Sequence, residues 1–159
     1  MNSLPGKENV ARAIFSPMMI DDNGHIQRAA FMLRHNEDYI SVCRMAIDSW
    51  HDDMLMIPQN SSRLLFGYAV MNVGEVRQLA FYSANKKIGF DVVEKQTERN
   101  RSHAGIVISL DGSSLKGDKV LSLKPVPSDV SVDAIIMRYQ KRLANLAQKG
   151  YTQAIKNTL

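Results

Sequence analysis

Residues 63–73 read RLLFGYAVMNV and form the most apolar stretch of the chain. The nearly apolar run within it, residues 64–73, is ten residues long, about half of the roughly 20 that a membrane-spanning helix needs. The stretch therefore reads as a central strand, buried on both faces. Around it lie other strand signals. Residues 88–94 (IGFDVVE) and 105–110 (GIVISL) are strands, and the polar residues 95–102 between them form an exposed loop. Residues 39–45 (YISVCRM) alternate, with Ile40 and Val42 on one face and Ser41 and Cys43 on the other. Residues 10–15 (VARAIF) are a short strand or extended entry that ends at Ser16-Pro17.

Turns and helices fill the gaps. Asp21-Asp22-Asn23-Gly24 is a turn, because Asn and Gly accept positive φ at little steric cost. Residues 27–34 place Ala30, Phe31 and Leu33 within two helical turns, which predicts a short helix. Asp48-Ser49 can cap another that runs to Ile57 and stops at Pro58. Residues 74–81 fit either a helical turn or an edge strand. Asp111-Gly112 signals a hairpin, with residues 119–124 (KVLSLK) as its returning strand. Beyond a separator at 125–129, residues 131–149 form one long helix. Ser131 is its N-cap, Asp133 lies in its first turn, and Lys149-Gly150 supplies a terminal cation and stop. Val132, Ile135, Ile136, Tyr139, Leu143, Leu146 and Ala147 make its packing stripe. The sum is one α+β domain over residues 1–159, with a mostly antiparallel sheet, short helices and a C-terminal amphipathic helix. Residues 1–8, broken at Pro5-Gly6, are expected to form a loose arm.

Composition narrows the class further. A chain of 159 residues, 45% hydrophobic, carries enough apolar surface to fold without a metal or disulfide staple. One cysteine, Cys43, permits no internal disulfide, and the opening residues MNSLPGKE carry no basic-then-apolar signal, so a cytoplasmic setting is expected. The formal charge of +4 is unevenly spread. Between Asp133 and Lys156 five basic residues face one acid, so this stretch holds the whole excess. Arg138, Lys141, Arg142 and Lys149 form a basic stripe roughly 120° from the packing stripe. Such a local field attracts an acidic protein or nucleic acid, although no aromatic residue interleaves to stack on bases.

Three segments carry a resemblance: 12–42 (RAIFSPMMIDDNGHIQRAAFMLRHNEDYISV), 68–76 (YAVMNVGEV) and 102–106 (SHAGI). In order and spacing they resemble a family of small bacterial proteins with no established activity. That family's pattern is an N-terminal Arg, a D-x-x-G turn, an Ala-Phe helix, an acidic residue before a Leu/Ile-Ser-Val strand, and a later Ser/Ala-His-Ala. Many such sequences place His-Asp-Pro just before the last motif, where this chain has Val93-Glu94-Lys95. A site that needs that first His is therefore absent.

Candidate chemistry centres on His103, where a polar loop enters a buried strand. An imidazole held there can act as an acid or base near neutral pH. Arg12, Arg44 and Ser41 join it if the strands at 10–15 and 39–45 neighbour the one at 105–110, and Arg forks match phosphate oxygens. Cys43, mid-strand, reads as a small buried hydrophobe. His25, His35, His51 and His103 show no metal-ligand spacing, and neither GxxxxGK[ST] nor GxGxxG occurs, so no cofactor and no metal are expected. Two functions follow. The first is an accessory or regulatory protein that contacts a protein or nucleic-acid partner through Arg138, Lys141, Arg142 and Lys149, possible as a homo-oligomer and away from membranes. The second is a small enzyme acting on a phosphate-bearing or nucleotide-like substrate, with His103 as acid/base. The neighbours of His103 decide between them.

Overall fold

A computed structural model describes residues 2–34, 36–83, 85–117 and 132–153, with residues 132 and 133 by their backbone alone. The expected strand at 119–124, the separator at 125–129, the Ser131 cap, the Val132 and Asp133 side chains, His35 and Lys156 lie outside these residues.

The chain runs β1 (Asn9–Ser16), a 3-10 turn (Arg28–Phe31), β2 (Ile40–Arg44), α1 (Trp50–Leu55), β3 (Leu64–Asn72), α2 (Val73–Arg77), β4 (Phe81–Ser83), β5 (Lys86–Glu94), β6 (His103–Leu110), β7 (Ser113–Ser114), α3 (Val132–Lys149) and β8 (Tyr151–Thr152). The strands form one sheet in the order β4-β5-β6-β2-β1-β3-β8, with β7 paired to β6, and every pairing is antiparallel. The α+β class read from the sequence is the class found. None of the described helices is long and apolar enough to cross a membrane.

Several local expectations are revised. The stretch 63–73 is not central: β3 is flanked by β1 and the two-residue β8. Nor is it buried on both faces, since Leu65, Gly67, Ala69 and Met71 are buried while Phe66, Tyr68 and Val70 are only half-buried and Leu64 is exposed. The half-buried face carries Tyr68, whose ring meets Trp50 edge-on at 5.3 Å, so α1 covers it only in part. Residues 27–34 tighten to a single 3-10 turn. Residues 74–81 contain both alternatives, α2 first and then β4, with the Asn72 side chain accepting from Glu75 N at 3.0 Å as an N-cap. The hairpin at Asp111-Gly112 is tight. Both residues have positive φ, +48° and +87°, so the chain returns at once through Ser113–Ser114.

The first residues are not loose either. Leu4 is buried, its N–H donates to Val92 O at 2.9 Å, and Glu94 N donates to Asn2 O at 2.9 Å, so this segment lies along β5. The core joins the sheet to α3 through Ile135, Tyr139, Leu143 and Ala147, packed with Val10, Ile14, Phe31, Met71 and Ile106. Of the predicted packing stripe, Ile135, Tyr139, Leu143, Leu146 and Ala147 are buried and Ile136 is partly buried.

The pairing between β1 and β2 positions the site. It comprises only Val10↔Arg44 and Ala11↔Cys43, after which the strands part. On its other edge β2 runs with β6 through Ile40↔Ile106, Ser41↔Gly105, Val42↔Ala104 and Cys43↔His103. A cleft opens where β1 leaves β2.

Candidate functional site

The cleft is a cavity of about 170 Å³, lined by residues that include Arg12, Arg34, Glu37, Ser41, Asp53 and Arg63, with His103 at one side. Three of the four residues singled out for catalysis, His103, Ser41 and Arg12, meet there. The condition for their meeting holds, because β2 lies between β1 and β6.

Arg44 is the fourth, and it is placed elsewhere. Three positions from Ser41 on an extended strand, it faces the opposite side of the sheet. There its guanidinium donates to both carboxylate oxygens of Glu8, at 3.0 and 2.9 Å. These bonds and the Glu8 charge raise its pKa, and the pair ties the N-terminal segment to β2.

Arg12 fills the gap between the parting strands. Strands that separate leave backbone carbonyls without ladder partners, and a buried carbonyl needs one. Arg12 Nη1 donates to Ser41 O at 2.8 Å and Nε donates to Ala30 O at 3.0 Å. Burial, together with the nearby charges of Arg34 and Arg63, lowers its pKa to about 10 against the opposing pull of Glu37. Three guanidinium groups thus crowd one small space.

His103 opens β6. Its Nε2 stands 3.2 Å from Ser41 Oγ. Its interaction with the Lys95 backbone favours the protonated ring. In the neutral tautomer that carries its proton on Nδ1, Nε2 accepts the serine hydroxyl proton. Burial lowers the His103 pKa below its ordinary 6.5, with the Lys95 charge acting in the same direction. The Tyr39 ring meets the imidazole edge-on at 5.6 Å. It can do so because position 105 is glycine: a Cβ there would stand 2.6 Å from Tyr39 Cδ2.

Two serine hydroxyls brace the loop before His103. Ser102 is fully buried, and its Oγ donates to Asp53 Oδ2 at 2.6 Å. Ser49 Oγ donates to the same oxygen at 3.0 Å. Burial pushes the Asp53 pKa up, but the hydrogen bonds from Ser102 and Ser49 outweigh it and hold the carboxyl below its usual range. Arg44 N donates to Ser102 O at 2.7 Å, so the loop is pinned to β2 from both sides. Cys43, with its thiol pKa raised by burial, is a buried wall residue as its strand position implied.

Sequence reading missed Arg34, Glu37, Asp53 and Arg63. Of these Arg63 is the most informative. Its guanidinium carbon lies 4.2 Å from the Phe15 ring centroid, and its Nε is buried with no hydrogen-bond partner among the described residues. Asn100 Oδ1, also on the cavity wall, is buried and unpartnered in the same sense. One buried donor and one buried acceptor on residues of the cavity wall therefore lack partners, each a group that burial penalises until something bonds to it.

The basic stripe of α3 is divided. Arg138 and Arg142 stack over the Phe81 ring at 4.4 and 4.8 Å, and Arg142 Nη1 also donates to Leu79 O at 3.3 Å. Lys141 and Lys149 are exposed. Among the described residues no group of three or more His, Cys, Asp or Glu side chains is placed to hold a metal ion. Comparison with family models, with curated proteins and with solved structures finds no match to this chain.

Proposed function

We propose that this protein is a small enzyme acting on a phosphate ester, with the arginine-lined cleft holding the phosphate and His103 moving the proton. The observation that carries the reading is the contact between Ser41 Oγ and His103 Nε2, at 3.2 Å, inside a cavity walled by Arg12, Arg34 and Arg63. A nucleophile within hydrogen-bond reach of a base, with the base oriented by a third group, is the arrangement nucleophilic catalysis needs. Here the third group is the Lys95 backbone.

His103 Nε2 takes the Ser41 hydroxyl proton as Oγ forms a bond to phosphorus. The ester P–O bond breaks, and the protonated imidazole returns that proton to the leaving oxygen. Water then repeats the exchange and releases phosphate from Ser41. Arginine side chains stabilise the charge on the phosphoryl oxygens throughout. A cavity of about 170 Å³ is smaller than the ~300–1,000 Å³ typical of whole-ligand sites, which suits a phosphate group rather than an entire substrate.

The test is turnover of a panel of phosphate monoesters and diesters, followed by released phosphate. The reading expects release by the native protein and a loss of about 10²–10⁴-fold in His103→Ala. Ser41→Ala is expected to fall comparably, with inorganic phosphate still bound by both variants. Equal turnover by native protein and His103→Ala, or no release from any ester, overturns it.

A second reading rests on a separate observation. A shallow groove beside α3 is lined by Arg28, Arg138 and Lys141 around the half-exposed Met137, with no acidic residue. It suits an acidic protein or nucleic-acid partner. Because Arg138 and Arg142 stack on Phe81, charge reversal at Lys141 and Lys149 tests the surface without disturbing packing. Unchanged retention on an acidic matrix refutes it.

A further inference from the structure

A second cavity of about 220 Å³ adjoins the arginine-lined cleft and shares Phe15, Met32, Arg34 and Arg63 with it. Its remaining wall is of another character. Met18, Met19 and Ala29 supply apolar surface, while Ser16, Asn60 and Ser62 bring polar groups. Met18 and Met32 are 65% and 43% exposed, an unusual placement for large apolar side chains that nothing in the fold covers among the described residues. Arg63 stands at the junction, with its flat group against Phe15 and its buried Nε unpartnered.

From this juxtaposition we infer that the second cavity is the subsite for the group carried by the phosphate, and that this group is an uncharged aromatic ring with a hydrogen-bonding edge, of which a nucleobase is the principal example. The inference rests on the phosphate-ester reading above and names its substrate class. Thioether sulfurs and aromatic faces attract one another, and flexible Met side chains mould to a flat ring. The cavity brings no acid, and its two arginines are those shared with the phosphate cleft, so a cationic group has no partner there and the arginines are left to the phosphate. Asn60 Oδ1 already accepts from Ser62 N and Oγ, at 2.9 and 2.8 Å, which holds the Asn60 amide in place and leaves its NH2 group as the donor for an acceptor on the ring edge. The anion cleft alone is too small for such a molecule. The two cavities joined at Arg63 reach the size that whole-ligand sites have.

The experiment uses the full chain with its methionine methyl groups labelled, titrated by NMR with inorganic phosphate, ribose 5-phosphate, phenyl phosphate and adenosine monophosphate. Adenosine monophosphate is expected to bind about tenfold or more tightly than inorganic phosphate or ribose 5-phosphate. Its titration should shift the Met18, Met19 and Met32 signals and leave Met137, beside α3, unmoved. Met18→Ser should weaken adenosine monophosphate about tenfold and leave inorganic phosphate unchanged. If inorganic phosphate binds but adenosine monophosphate binds no tighter, the ring subsite is overturned and the anion cleft survives. If phenyl phosphate equals adenosine monophosphate, the hydrogen-bonding edge assigned to Asn60 is overturned. If none of the four binds, the phosphate-ester reading fails, and the subsite with it.

Discussion

Ser41 and His103 lie 62 residues apart in sequence, yet Ser41 Oγ and His103 Nε2 are 3.2 Å apart in the fold. Two features bring them together. The register of β2 on β6 sets Ser41 opposite Gly105 and Cys43 opposite His103, so both reactive side chains share one face. The loop before His103 is then locked through the Ser102 hydroxyl on Asp53. A pair of side chains fixed by a sheet register and a carboxylate brace needs little rearrangement before it acts, the condition that favours precise proton transfer.

Arg12 is a positioning residue as much as an anion partner. Replacing it with Leu leaves the Ser41 and Ala30 carbonyls without their donors in the gap between β1 and β2. The expected loss is about 3 kcal/mol of unfolding free energy, measured by urea denaturation. Arg12→Lys should not restore it, since an ammonium at the end of a single stem does not present the fork that spans two carbonyls. Full recovery by lysine would mean that only the positive charge matters there.

Gly105→Ala tests the packing behind the imidazole. The added methyl would fall 2.6–2.8 Å from three Tyr39 side-chain atoms, so the ring must move off β6. Destabilisation of about 1–3 kcal/mol is expected, together with a changed chemical environment at His103. Tyr39→Ala in the same background should recover most of the stability. If the alanine variant is as stable as the native protein, Tyr39 does not pack over position 105.

Phosphate should stabilise the fold. Arg12, Arg34 and Arg63 repel one another around a cavity where Glu37 is the acid that offsets them, and a bound dianion relieves that repulsion. At about 100 times its dissociation constant, a ligand specific for the native state adds about 2.7 kcal/mol. The thermal midpoint should therefore rise with phosphate concentration, and chloride at equal ionic strength should not reproduce it. Arg63→Gln should abolish the rise. Arg44→Gln, on the opposite face beside Glu8, should lower the midpoint while leaving the phosphate increment intact.

Stability should fall in mild acid, and His103 accounts for part of the fall. Burial lowers its folded-state pKa below the 6.5 of an unhindered imidazole. Between the lowered value and 6.5 the unfolded chain binds more protons than the native protein, so stability rises with pH across that window. The contribution is complete above about pH 6.5 and disappears as pH falls through the folded value. In His103→Gln this part of the pH dependence should vanish. A native protein whose stability is flat from pH 7 to 5, after allowance for the carboxylates, would contradict the burial of this ring.

Much of this arrangement was legible in the residues. Period-two alternation in 39–45 separates Ser41 and Cys43 from Ile40 and Val42, and the loop-to-strand junction at His103 follows from the change of polarity there. The same alternation puts Arg44 on the far face, three positions from Ser41, so its exclusion from the cleft was also readable. The stretch 63–73 misled because its outward residues, Phe66, Tyr68 and Val70, are apolar too. A half-buried face of large side chains cannot be told by composition from a fully buried one. Arg34, Glu37, Asp53 and Arg63 carry no local signal at all. They reach the cavity through loops and a short helix whose placement depends on how β1 and β2 part, and two-residue pairing between otherwise longer strands leaves no mark in the sequence.

The nitrogen signals of the His103 imidazole, followed across pH with and without inorganic phosphate, bring the base and the anion site into one measurement. The free protein should show the ring neutral at pH 7 with its proton on Nδ1, titrating below 6.5. Added phosphate should shift the ring signals and raise the titration midpoint, because a dianion in the same cleft favours the imidazolium. A ring that titrates at its ordinary value and does not respond to phosphate would show that His103 and the arginines do not serve one site.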